Sequence, residues 1–353
     1  MMLVLRTLET FIVALLGGAL FALLHLPLPW TLGPMAAVIL WSEIRHRPVI
    51  WPIQLRQAGM VALGYVMGSP FTPEAGRQIW GQLPIMATAT GLTVAFSLIM
   101  GWFTARQTGI SLPSALLGSV PGGLSQMAVL CEEIPGTDRA VVTIMQTIRV
   151  LSVVFFVPFL ALHGLAGDNG VNVAAALGQS AAATWEVTAI FGLAVVLGVA
   201  ISFRLRLPTP FMLGPVLGTA AVGLSGLPAP HLPAGIVVAA QLLVGAYMGS
   251  GIRLDNLRQM KALLPSVLLG VAGILGCSLA LGYGLSVLTG CSVVTGFLST
   301  APGGIGEMGL TAILVGADLS TVITYQLFRL LTILLVVPAV LKWLLRQADR
   351  VAG

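Results

Sequence analysis

The same series of motifs occurs twice in this chain, at a fixed spacing. LPLPWTLGPM (26–35) returns as LPTPFMLGPV (207–216), and GYVMGSP (64–70) returns as GAYMGSG (245–251). RQIWGQLP (77–84) matches RQMKALLP (258–265), and PGGLSQM (121–127) matches PGGIGEM (302–308). The offset is 181 each time, without a gap, and Gln146-x-x-Arg149 then matches Gln326-x-x-Arg329 at 180. Self-similarity at a fixed period means two copies of one structural unit. The sequence therefore divides into a first repeat (1–163), a linker of small residues (164–183) and a second repeat (184–353).

What each copy can fold into follows from its apolar runs. The chain is 57% hydrophobic and 8% charged, with a mean hydropathy of +0.99, whereas a soluble domain carries about 25% charged residues. This is the composition of an all-α polytopic membrane protein. Each repeat holds six apolar segments, near 8–25, 30–42, 54–70, 83–104, 111–134 and 139–162 in the first and 184–203, 211–226, 233–250, 263–287, 292–316 and 319–341 in the second. The lipid bilayer is thus an obligatory partner. The segment that starts the chain reads as a retained helix rather than a signal peptide, since no small-residue cleavage site closes it.

The fifth segment of each repeat carries Pro-Gly-Gly at its centre. Proline removes a backbone donor, and the glycines favour no single geometry. Broken backbone at membrane depth survives only where protein buries it or where it lines a watery cavity. Paired breaks in two halves point to a transporter's binding site.

Basic residues set the orientation of membrane helices. If the Pro-Gly-Gly segments dip in and return while the other five cross, the repeats are inverted relative to each other. Fourteen basic residues then lie inside, Arg77 alone lies outside, and Arg149 and Arg329 lie within the membrane. Parallel repeats with six crossings divide the same residues eight to seven, and an extra crossing in the linker gives ten to five. The expectation is two inverted-topology repeats, each of about five spanning helices plus one broken helix, re-entrant or discontinuous. Both termini then lie in the cytoplasm of a bacterium, with the protein in its inner membrane.

At these motifs the chain resembles the AbrB-type family of duplicated membrane proteins. LGPM/LGPV, YMGS and the paired PGG segments carry the resemblance, which spans essentially the whole chain. Members of that family have been described as candidate regulators of gene expression and, earlier, as candidate ammonia monooxygenases. The chain is also similar to cation:proton antiporters and bile-acid-type symporters, and that similarity implies inverted repeats with crossed broken helices around a midplane site.

The candidate solute- or ion-binding residues cluster at the breaks. Ser119, Pro121, Gly122, Gly123, Ser125 and Gln126 form the first, and Ser299, Thr300, Pro302, Gly303, Gly304 and Glu307 the second. A half-helix starting after each break aims amides and a positive dipole end at the midplane, which favours an anion. The alternative is a pair of kinks that permit close packing. Glu307, whose counterpart is Gln126, is the one carboxylate placed near the midplane. It fits a proton or ion carrier, or a cap on its own half-helix. Arg149 and Arg329 stand eleven residues beyond Asp138 and Asp318, about 16 Å along a helix, with Gln146 and Gln326 three residues earlier on the same face. Each arginine either binds an anionic solute, alternating with Glu307, or braces the broken-helix carbonyls.

Other residues carry no chemistry in this reading. Glu132, Glu133, Asp138 and Asp318 read as helix caps or solvated loop ends. The LGP motifs read as starts of the second segments, and Trp30, Trp41, Trp51 and Trp80 as interfacial anchors. His25, His46, His163 and His231 are scattered, and Cys131, Cys277 and Cys291 have no ligand spacing, so no metal and no cofactor is expected. An oxygen-activating enzyme has nothing to be built from. No GxxxxGK[ST] is present, so a proton or sodium gradient rather than ATP is the expected energy source. The leading expectation is a secondary transporter of a small, anionic solute. The competing one is a membrane regulator without transport, acting through a partner protein. Direct nucleic-acid binding is not expected, and a homo-oligomer is compatible with the sequence.

Overall fold

The computed structural model describes residues 2–47, 49–122, 127, 130–131, 134–165, 184–252 and 263–341. Among them every regular element is helical: α1 (Met2–Leu23), α2 (Pro29–Arg45), α3 (Ile53–Gly68), α4 (Pro73–Thr108), α5 (Leu112–Ser119), α6 (Arg139–Leu160, ending in a π turn, Ala161–Leu165), α7 (Trp185–Arg204), α8 (Pro210–Gly223), α9 (Ala234–Ser250), α10 (Leu264–Thr289), α11 (Val293–Thr300), α12 (Ile305–Val315) and α13 (Leu319–Leu335). Five helices, α1, α4, α6, α7 and α10, are long and apolar enough to cross a membrane. That is compatible with an integral membrane protein.

The helices fall where the apolar runs place them, with three differences. The fourth helix begins at Pro73, about ten residues before its apolar run. Proline suits a first helical turn, Glu74 sits at the positive end of the dipole, and Arg77 pairs with Glu74 at 3.2 Å. The second helix begins at Pro29 rather than at Leu-Gly-Pro, so Pro34 lies inside it and Gly33 packs against Gly17 of α1. Trp51 is buried and donates its indole N–H to the Leu243 carbonyl at 3.1 Å, so it is a core residue and not an interfacial anchor. Trp80 is exposed.

The contacts divide the chain into two compact units that cut across the repeat boundary. One comprises Met1–Gly81, Pro158–Leu254 and Gly309–Thr321; the other comprises Gln82–Val157, Asp255–Met308 and Val322–Gly353. Each unit draws on both repeats.

In the first unit the duplication reaches the backbone. His25 and Leu28 adopt positive φ, and so do Arg206 and Thr209, 181 residues later. Left-handed non-glycine residues are uncommon, so their recurrence at matching positions marks one loop design used twice, each time just before a helix that opens on proline. The helices then pack reciprocally. Gly64 and Gly68 of α3 abut the carbonyls of Met212 and Val216 on α8, and Gly245 and Gly249 of α9 abut those of Thr31 and Met35 on α2. Each contact is the other shifted by 181, as a self-complementary two-fold interface requires. Small residues at these positions let apolar helices approach to backbone contact.

In the second unit the short helices α5 and α11 each lie against the long helix that precedes them. Gly101 of α4 abuts the backbone of Ala115 and Leu116, and Gly282 of α10 abuts that of Gly296 and Phe297. These contacts again match at 181. An apolar core including Leu117, Val120, Met127, Val142, Ile333 and Val337 closes around α5.

Candidate functional site

The site lies in the second unit, at the C-termini of α5 and α11. A helix leaves its last four carbonyls without intrahelical partners, and both ends here are buried. Their donors come from the Gln-x-x-Arg pairs on α6 and α13. Gln146 Nε2 donates to the carbonyls of Leu117 (2.8 Å) and Val120 (2.9 Å). Arg149 donates from Nη1 to Val120 O (2.6 Å) and from Nη2 to Gly122 O (3.1 Å).

The second copy repeats this residue for residue. Gln326 Nε2 donates to Leu298 O (2.7 Å) and Ala301 O (3.0 Å). Arg329 Nη1 donates to the carbonyls of Thr300 (3.3 Å) and Ala301, and Nη2 to Gly303 O (2.8 Å) and to Gln326 Oε1. A cation at a helix C-terminus also meets the negative end of the dipole. The bracing role expected as one of two alternatives for these arginines is thus the one their N–H groups adopt. Both arginines are buried, each residue 5% exposed.

The copies also differ. Gln146 Oε1 and Arg149 Nε are buried with no hydrogen-bond partner among the described residues. A 20 Å³ cavity beside Arg149, bounded in part by Gly118, Ser119 and Met145, is large enough for a water.

Of the expected site residues, Pro121, Gly122 and Pro302 are buried at the turns. Gly122 is covered by Met127 and Gly303 by Met308. The Ser299 hydroxyl bonds back to Thr295 O at 2.7 Å. Thr300 Oγ1 reaches Ser278 O at 2.7 Å, while Ser278 Oγ returns to Thr300 O at 3.2 Å. Gly304 is exposed and Glu307 half-buried, and the Glu307 carboxylate folds back over Gly304 at the first turn of α12. Gly123, Ser125 and Gln126, with Glu132 and Glu133, lie outside the described residues.

Asp138 and Asp318 cap α6 and α13. Asp138 Oδ1 accepts from Ala140 N at 2.8 Å, and Asp318 Oδ1 from Ser320 N at 3.0 Å. Burial pushes the Asp318 carboxyl up, but hydrogen bonds from Thr321 and Ser320 together outweigh it and hold it below the usual range. Among the described residues no three His, Cys, Asp or Glu side chains gather as a metal site would require.

Sequence reasoning missed two contributors. Ser278 was legible only as a lone hydroxyl in an apolar run. The methionine lids, Met127 and Met308, stood in plain view at the same distance after each Pro-Gly-Gly.

This duplicated architecture has known relatives. The family profile described as transition state regulatory protein AbrB matches residues 30–345. The chain belongs to the AbrB family. One AbrB relative, from Escherichia coli (strain K12) and named a candidate regulator, AbrB, is 28% identical over 339 residues, covering 96% of each chain. The uncharacterized protein YhjN of Bacillus subtilis (strain 168) is 25% identical over 347 residues, covering 91% of this chain and 88% of YhjN.

Proposed function

We propose that this AbrB-family protein is a secondary transporter of a small anionic solute, bound where the two Pro-Gly-Gly turns interrupt the apolar segments. The observation that carries the reading is the pair of buried arginines, Arg149 and Arg329, held in the same compact unit as the half-buried Glu307. Burying two cations in an apolar surround is costly, and the cost falls if an anion joins them. The arginines keep their N–H groups on the helix ends, so their contribution is positive potential rather than direct recognition. Direct recognition falls to the amides at the first turn of α12, which have no intrahelical acceptor. Glu307 already lays a carboxylate there. In this mechanism protonation of Glu307 withdraws its charge, and a solute carboxylate, sulfate or phosphate takes the position. Proton and solute are then coupled by competition for one set of amides.

The fourteen-to-one charge division supports inverted repeats with both termini cytoplasmic. The protein is then an ion-coupled inner-membrane carrier and not an enzyme, needs no nucleic acid, and can work alone or as a homo-oligomer. The competing reading, a membrane regulator, draws on the name of the Escherichia coli relative.

The test uses purified protein in liposomes loaded with a pH-sensitive dye and challenged with small carboxylates, sulfate and phosphate. Wild-type protein is expected to move protons on addition of at least one of them, and Glu307→Gln to exchange that solute without proton movement. Proton coupling unchanged in Glu307→Gln refutes the mechanism. If wild-type liposomes match protein-free ones throughout, the transport reading falls and the regulatory one remains.

A further inference from the structure

We propose that the cleft between the start of α1 and the end of α2 is a binding site for the phosphate of an anionic phospholipid. It lies in the first unit, apart from the Pro-Gly-Gly turns, and its function does not depend on transport. The cleft has a volume of about 130 Å³, and Arg6, Arg45 and Arg47 line it together with Glu9, Thr10 and Trp41. That is about ten times the space one buried water needs, enough for a phosphodiester and bridging waters.

Its charges are arranged for an anion. Among the described lining residues Glu9 is the single carboxylate. It is committed to Arg45 at 3.5 Å and to the Trp41 indole N–H at 2.9 Å. Arg45 also stacks over the Trp41 ring, 4.8 Å from its centroid, which fixes the guanidinium at the rim. Arg6 and Arg47 have no acidic partner among the described residues. Three arginines and one glutamate leave the cleft a net two positive charges. Planar guanidiniums suit phosphate, whose oxygens accept paired N–H donors.

Two observations select a lipid over a free anion. Exposed apolar side chains run away from the cleft along both helices: Leu5, Leu8, Ile12 and Leu16 on α1, and Leu40 and Ile44 on α2. Leu8, Ile12 and Leu16 share one face at spacing four, as do Leu40 and Ile44. A phosphate held at the cleft would lead its acyl chains onto that surface. The cleft end is also the one the charge distribution places in the cytoplasmic leaflet, where anionic lipid attracts basic residues.

The fold does not require these side chains. Shifting Arg6, Glu9, Trp41, Arg45 and Arg47 by 181 reaches Val187, Ile190, Val222, Gly226 and Pro228. The matching segments of the second repeat carry no charge at those positions. Orientation alone would be served by arginines spread along the loops, whereas here three converge on one cavity.

The test is lipid binding by the full-length protein in detergent, followed by native mass spectrometry with added phosphatidylglycerol, phosphatidylcholine or inorganic phosphate. The expected result is retention of phosphatidylglycerol over phosphatidylcholine, with phosphate failing to displace it. The double variant Arg6→Gln/Arg47→Gln is expected to bind phosphatidylglycerol about 30-fold more weakly, and Arg77→Gln as tightly as wild type. If the double variant does not fold, the single variants carry the test. Equal retention of the two lipids, unchanged binding in the variants, or displacement by phosphate overturns the proposal; the last outcome would make the cleft a free-anion site.

Discussion

Gln146 and Gln326 provide the sharpest test of how the short helices are held. Methionine keeps the length and flexibility of glutamine and removes its hydrogen bonds. In Gln326→Met the Leu298 carbonyl loses its only side-chain donor among the described residues, while Ala301 O keeps Arg329. One orphaned buried carbonyl costs about 1–3 kcal/mol. The variant also removes Gln326 Oε1 from Arg329 Nη2, and a hydrogen bond to a charged group contributes about 1.5–3 kcal/mol. Together these predict a loss of roughly 2.5–6 kcal/mol. In Gln146→Met the Leu117 carbonyl is orphaned in the same way, but Gln146 Oε1 has no partner to lose. Its predicted loss is only about 1–3 kcal/mol. Unfolding of the purified variants in mixed micelles by rising SDS fraction measures both, read from the midpoint at unchanged slope. The reasoning fails if either variant is as stable as wild type, or if Gln146→Met is the more damaging.

Further expectations follow from other parts of the fold. Gly64→Val and Gly245→Val each drive a branched side chain into a facing carbonyl, of Met212 and Thr31 respectively, and each should cost about 1–3 kcal/mol in the same micelle titration; no loss at either position would refute the reciprocal packing. Asp318→Ala should cost about 0.5–2 kcal/mol at neutral pH through loss of the α13 cap. Because the folded-state pKa of Asp318 is depressed, that stabilisation is present above the unfolded carboxyl value near 3.9 and fades as pH falls through the folded one, so a difference persisting unchanged at pH 2 would contradict it. With the three native cysteines replaced by serine, Arg45→Cys should react with an impermeant thiol reagent only from the cytoplasmic side and His231→Cys only from the other. Labelling of both from one side would reject inverted repeats.

Much of the helical layout was legible because apolar length and Pro-Gly-Gly are local signals. Helices α5 and α11 stop where their prolines remove a donor, and the first apolar residue of most segments lies within a few residues of a helix start. The positions of Arg149 and Arg329 along α6 and α13 were legible too, since rise per residue fixes them. Their partners were not: sequence gives a side chain's position along its own helix, whereas the Val120 and Gly303 carbonyls are set by how another helix docks. Trp51 was misread for the same reason. Its place at a segment end suits an interfacial anchor equally well, and only the packing of α9 against it buries the indole. The division into compact units was invisible for a broader cause, because it joins segments from opposite halves of the chain.

The reciprocal glycine packing of the first unit carries a consequence for biosynthesis. The surface of α3 that receives Met212 and Val216 is complete once residue 68 is made, yet its counterpart on α8 begins only at Pro210. At roughly 5–20 residues per second, the glycine face of α3 waits on the order of ten to thirty seconds for its match. During that interval it offers small-residue backbone to any neighbouring helix in the membrane. A ribosome stalled between the repeats would therefore leave half a two-fold interface exposed, and a second nascent copy offers the same incomplete surface. Swapping of repeats between chains is the error this architecture invites, and prompt completion of the second half is what prevents it.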